Sequence, residues 1–133
     1  PKNHLACIPT LRYLVQDDAA QAEAAERLIE GRCTRESPGL VSAVVLAELA
    51  WVLKGAYSQD RTTVVSVLRQ ILQTAELVVD APDVVWAAVS DFEQGGADFA
   101  DCLIAHGNFA AGCAVTYTFD KGAAKGRHFE LLL

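Results

Sequence analysis

The sequence predicts an α/β fold in three layers, α/β/α, with a central parallel sheet between helices. Three observations predict it. Helix-like and strand-like stretches take turns along the chain, an order that favours parallel strands joined by crossover helices. Residues 1–133 carry no internal repeat, low-complexity tract or linker, and that length suits one domain with an ordinary core. The composition is 52% hydrophobic and 21% charged, which suits a well-packed globule and is too apolar for a disordered chain.

Each element has its own signature. "DDAAQAEAAERLIEG" predicts a helix rich in alanine and glutamate, with Asp17 or Asp18 as N-cap and Gly31 as its stop. "PGLVSAV", a short apolar run after a breaker, reads as a strand leading into a second helix, "VLAELAWVLKGAY". "RTTVVSVLRQILQT" predicts a third helix, with Val64, Val67, Leu68, Ile71 and Leu72 at helical spacing. Its remaining apolar residues point to a subunit interface. "ELVVD" is strand-like, and "PDVVWAAVSDFEQ" is a helix opened by proline. "DFADCLIAHGNFAAG" predicts a helix closed at Gly112, "CAVTYTFD" a strand ending at Asp120, and "HFELLL" a last strand or turn. Trp51, Trp86 and Phe92 fall on apolar faces and read as core residues, not as base-stacking platforms.

Composition narrows the function classes. No apolar run reaches the roughly 18 to 20 residues that a spanning helix needs. The stretch "PKNHLACIP" lacks the basic region and long apolar core of a secretory signal, so a cytoplasmic chain is expected. Cys7, Cys33, Cys102 and Cys113 form no C-x-x-C and are expected as reduced, mostly buried thiols. The net charge of -6 argues against a broad basic surface for duplex nucleic acid, whose binding rests on phosphate neutralisation. A nuclease that grips phosphates through divalent cations remains compatible with it, because such an enzyme gathers carboxylates. Cys102 and His106 stand at i and i+4, but no second pair completes a zinc site. Ser42 and His106 lack the G-x-S-x-G elbow of a hydrolase, and no G-x-x-x-x-G-K or G-x-G-x-x-G loop is present.

The acidic residues carry the chemistry. Ligands of parallel sheets sit outside the carboxyl ends of the strands, in the loops and helix starts that follow. Glu48 is the only polar side chain in "VVLAELAWVL", so every face of the helix near it is apolar, and it must be protonated, ion-paired with a partner such as Arg12 or Lys54, exposed at a cleft, or bound to a cation. Asp98 and Asp101, at i and i+3, share one face at a helix start, as an N-cap with its capping partner or as anionic ligands. Asp120 ends a strand, as a turn residue or a ligand. "DKGAAKGRHF" adds Lys121, Lys125 and Arg127 behind it, as a solvated turn or an RNA-backbone contact. Four carboxylates at one sheet edge would repel, and a hard cation such as Mg²⁺ or Mn²⁺ suits such oxygen ligands.

"LRYLVQDDAAQAEAAERLIE", then "VSAVVLAELAWVLKGAYS", then "GADFADCLIAHGNFAAGCAVTYTFDKGAAK" together resemble a PIN-domain ribonuclease of the VapC toxin type, over nearly the whole chain. The resemblance implies a compact α/β domain, Mg²⁺- or Mn²⁺-dependent cleavage of RNA by activated water, inhibition by a small cognate antitoxin, and a homodimer. It places Glu48, Asp101 and Asp120 as acidic ligands, Asp98 as an additional aspartate, and Thr118 as a hydroxyl beside the site. Glu48 would act as the base that accepts the water's proton, with a pKa raised by its apolar setting. Single-stranded or looped RNA is the implied substrate. The chain departs from the family pattern at its start: "ACIPTLRYL" puts Ala6 where the family has its first aspartate and Ile8 where it has an asparagine. That departure opens an alternative, a catalytically weakened PIN-like domain that binds nucleic acid or an antitoxin.

Overall fold

A computed structural model describes residues 6–7, 23–24, 27 and 33–133 of the chain. Strands β1 (Ala6–Cys7), β2 (Gly39–Val41) and β3 (Leu77–Val79) form a parallel sheet in that order, with Gly39 opposite both Ala6 and Leu77. Helices α1 (Ala43–Gly55), α2 (Arg61–Leu72), α3 (Pro82–Gln94) and α4 (Phe99–Ala110) supply the crossovers and the packing layers. Strands β4 (Thr116–Thr118) and β5 (Phe129–Leu131) pair in parallel as a second small sheet, joined by a 3₁₀ turn at Ala123–Lys125. The fold is α/β with parallel strands, as expected, although the described strands form two sheets where one was anticipated. The helix expected over residues 17–31 lies largely outside the described residues; Glu23, Ala24 and Arg27 are helical, and Arg27 pairs with Glu23 at 3.3 Å.

Local chemistry sets the boundaries. The Ser42 hydroxyl accepts the Val45 N–H at 3.3 Å, so the chain turns into α1 one residue after β2. Asp60 caps α2 by accepting the Thr63 N–H at 2.8 Å, and hydrogen bonding to the Thr63 side chain and then to that N–H holds its carboxyl below the usual carboxylate range. Pro82 opens α3 at a position where its missing N–H costs nothing. The expected and observed limits of α3 coincide. The expected strand "CAVTYTFD" contracts to three residues, since Cys113 and Ala114 are spent leaving α4.

The core centres on Leu46, Val64, Leu68, Val89, Phe92 and Phe99, all at 2% exposure or less. Phe92 and Phe99 meet edge to face with ring centroids 5.9 Å apart, which ties the end of α3 to the start of α4. Two expectations are corrected here. The apolar residues of α2 are used inside the chain, with Val64, Val65, Leu68 and Ile71 buried, so no surplus face remains for an interface. On α1, by contrast, Val44, Glu48 and Trp51 form an exposed i, i+4, i+7 stripe; Trp51 is 77% exposed and so is not core, and Trp86 is also at the surface. Among the described cysteines, Cys33 and Cys102 are buried free thiols and Cys113 is an exposed one, in line with the expected mostly buried, reduced set. Among the described residues no helix is long and apolar enough to cross a membrane.

Candidate active site

Three of the expected acidic residues come together where α4 begins and β4 ends. Asp98 is the N-cap of α4 in extended conformation, and its side chain makes no capping hydrogen bond. Its carboxylate instead receives Lys54 Nζ of α1 at 3.4 Å, so the capping-box arrangement is not formed. Asp101, in the first turn of α4, is half-buried. Burial pushes its carboxyl above the ordinary aspartate value, and the charges of Asp98 and then Asp120 push it further in the same direction. Mutual repulsion of this kind requires the three carboxylates to share one neighbourhood.

Asp120 faces them from the turn after β4. Its Oδ1 accepts the N–H groups of Gly122 at 2.8 Å and Ala123 at 3.3 Å, so it shapes the 3₁₀ turn as a turn aspartate does. The Thr118 hydroxyl accepts the Asp120 N–H at 3.1 Å and fixes the residue at the end of the strand. Lys121, Lys125 and Arg127 follow on the same turn with exposed side chains.

Two glycines bring the α4 start and the β4 turn into register. Gly96 has φ +99°, and a Cβ there would meet the Gly122 carbonyl oxygen at 2.9 Å; a Cβ on Gly122 would meet Asp120 Oδ1 at 3.2 Å. Only bare backbone permits that approach. Arg61, at the start of α2, fastens the same loop from behind: Nη1 donates to the Phe92 carbonyl at 2.6 Å and the Ala97 carbonyl at 3.3 Å, and its guanidinium stands 4.5 Å from the Phe92 ring centroid. Sequence reasoning missed Gly96, Gly122 and Arg61; the doubled glycine ahead of "DFAD" was the available signal.

Glu48 stands apart from this cluster. It is exposed on the outer stripe of α1 and is not among the charges that raise Asp101, so the apolar setting expected for it is not found. The reason is geometric: Leu46, Leu49, Ala50 and Leu53 of α1 face the core, which turns position 48 outward. Lys54, an expected partner for Glu48, pairs with Asp98 instead.

The two other constellations resolve into structural roles. His106 Nε2 meets Asp91 Oδ2 at 2.5 Å between α4 and α3, and the Ser42 hydroxyl is occupied as the α1 cap, so neither a zinc pair nor a triad is built from them. The Cys102 thiol is pushed up to about 12, first by burial and then by the charges of Asp91 and Asp101, and stays an inert core group.

The sequence profile of the PIN domain matches residues 11–127. The chain belongs to the PIN domain family. No curated protein and no solved structure shows significant similarity to it. PIN domains are generally metal-dependent nucleases that use Mg²⁺ or Mn²⁺, which makes nucleic acid the expected class of substrate. The donor chemistry of this PIN domain fits a hard cation: Asp98, Asp101 and Asp120 offer oxygen ligands, and among the described residues Lys54 is the sole cation paired with any of them. As placed, no three such side chains among the described residues are gathered tightly enough to hold an ion.

Proposed function

We propose that this PIN domain, residues 1–133 acting as one unit, is a Mg²⁺- or Mn²⁺-dependent endoribonuclease and the toxin of a VapBC-type pair, held in check by a small cognate antitoxin and active as a homodimer. The observation that carries the catalytic part is the meeting of Asp98 and half-buried Asp101 at the start of α4 with Asp120 at the end of β4, where burial first and then the two like charges raise the Asp101 carboxyl, in a chain of this family. Asp98, Asp101 and Asp120 would hold the ion, with Glu48, outside that cluster, reaching it only through water. When bound, a divalent cation supplies charge that offsets the phosphate and activates water for in-line attack.

The chain's own residues then position the RNA. Thr118 holds Asp120 at the strand end, while Lys121, Lys125 and Arg127 lie where they can take the phosphates beside it. The Asp101 carboxyl, with its affinity for a proton raised, serves as the ligand most relieved by a cation. Single-stranded or looped RNA suits a site that needs an exposed phosphate.

The test is cleavage of a single-stranded RNA with Mg²⁺ or Mn²⁺. Cleavage is expected in the natural chain, its loss in Asp101→Asn. No cleavage at any metal concentration, with RNA or antitoxin binding retained, would favour the second reading, a weakened binding domain. One observation favours that reading: Ala6 occupies β1 where the family resemblance expects an aspartate. Ala6→Asp is therefore expected to raise the rate if the missing ligand is what limits it.

A further inference from the structure

A cleft of about 340 Å³ opens between α1 and the start of α4, lined by Ala47, Trp51, Lys54, Phe92, Asp98 and Phe99 among others. Its walls are mostly apolar, and its polar groups are the Lys54 ammonium and the Asp98 carboxylate at one edge. That volume lies at the small end of ligand sites, enough for one flat group and not for a folded segment. Trp51 is 77% exposed, and no described residue stacks on its ring. A large aromatic face left to water beside a lysine is costly unless something covers it.

We propose that this cleft is a nucleobase subsite: an unpaired base of the RNA stacks on Trp51, and the phosphate next to it meets Lys54, which delivers the following linkage to Asp98. The choice of occupant follows from charge. The chain is net negative, and its acidic cluster repels an anionic polymer, so the strand needs a cation at the point where it enters. Lys54 stands at that point, three residues beyond Trp51 on the same helix and 3.4 Å from Asp98. An aromatic platform beside a cation is the arrangement by which single strands are held without sequence readout. An apolar polypeptide would gain the ring but leave the Lys54 and Asp98 charges against its surface. The proposal rests on the ribonuclease reading for the nature of the polymer, and its binding test is independent of turnover.

The experiment measures binding of a short single-stranded RNA in EDTA, where a metal-dependent nuclease leaves it intact, using tryptophan fluorescence in a Trp86→Phe background and anisotropy of an end label for the Trp51 variants. Trp51→Ala is expected to weaken binding roughly ten-fold, as removal of one stacked base does, while Trp51→Phe keeps most of it. An oligonucleotide with abasic positions should lose the same factor on the natural chain and lose nothing further on Trp51→Ala. Because Trp51 is exposed, these variants should unfold at the same urea concentration as the parent. Unchanged RNA affinity in Trp51→Ala, or an abasic penalty that persists in it, would overturn the proposal. So would a dimer that dissociates in Trp51→Ala while RNA binding is unaffected, since the face would then belong to a second copy. Absence of cleavage with Mg²⁺ alongside the expected binding pattern would refute the nuclease reading and leave the subsite standing.

Discussion

Asp101 is held in a state it disfavours. Burial and two like charges raise its carboxyl, so the folded chain binds that proton more tightly than the unfolded chain, and the ionised form at neutral pH weakens the fold. Asp101→Asn is expected to increase stability in metal-free urea unfolding by under about 1 kcal/mol, since water still screens the site, at the cost of activity. His128 titrates the other way in its effect on protonation. Burial first, then His106 and Arg127, hold its imidazole below the ordinary histidine value, so the unfolded chain takes up the proton first as pH falls. The His128 contribution is whole above about pH 6.5 and is lost as pH drops from there through the folded value. His128→Asn, which tolerates the φ of +69° at this position, should flatten the fall in urea midpoint between neutral and mildly acidic pH. At this scale Asp98, Asp101 and Asp120 were legible from residue type, spacing and place after a strand. Lys54 as the partner of Asp98 was not, because nothing local links positions 44 residues apart.

At the scale of elements, the site depends on two loops touching. Gly96→Ala would force a left-handed backbone on alanine and drive its Cβ into the Gly122 carbonyl, whereas Gly95→Ala carries a similar φ of +96° with nothing within 4 Å. Strain alone costs on the order of 1–3 kcal/mol. Gly96→Ala is therefore expected to lose more stability than Gly95→Ala in urea unfolding and to weaken divalent-cation binding as well, while Gly95→Ala leaves the ion affinity near the parent's. The order and type of the described helices could be read from caps, proline and apolar spacing. The orientation of α1 could not: its residues are apolar all round, so periodicity did not say that Val44, Glu48 and Trp51 face outward while Leu46, Leu49 and Leu53 face in. The apolar setting expected for Glu48 and the burial expected for Trp51 failed for that one reason. The error on α2 has a different origin: tertiary contacts with α3 and β3 absorb a face that looked surplus.

For the whole molecule, alternation of helix and strand was enough to establish an α/β fold with parallel strands, and the PIN family match agrees with it. Sheet closure was beyond it, because pairing between strands distant in sequence depends on packing that no local pattern encodes. The chain as a whole carries 17 acidic against 11 basic residues, and it gathers three of its acids at one place with a single described counter-cation. Such an arrangement opposes folding unless an ion completes it. The central claim is that Asp98, Asp101 and Asp120 form a divalent-cation site, and calorimetric titration of Mn²⁺ into the natural chain and into an Asp98→Asn, Asp101→Asn double variant tests it directly. Saturable binding is expected in the natural chain, with its loss in a double variant that still unfolds cooperatively; equal Mn²⁺ affinity in both, or none in the natural chain, would contradict such a site.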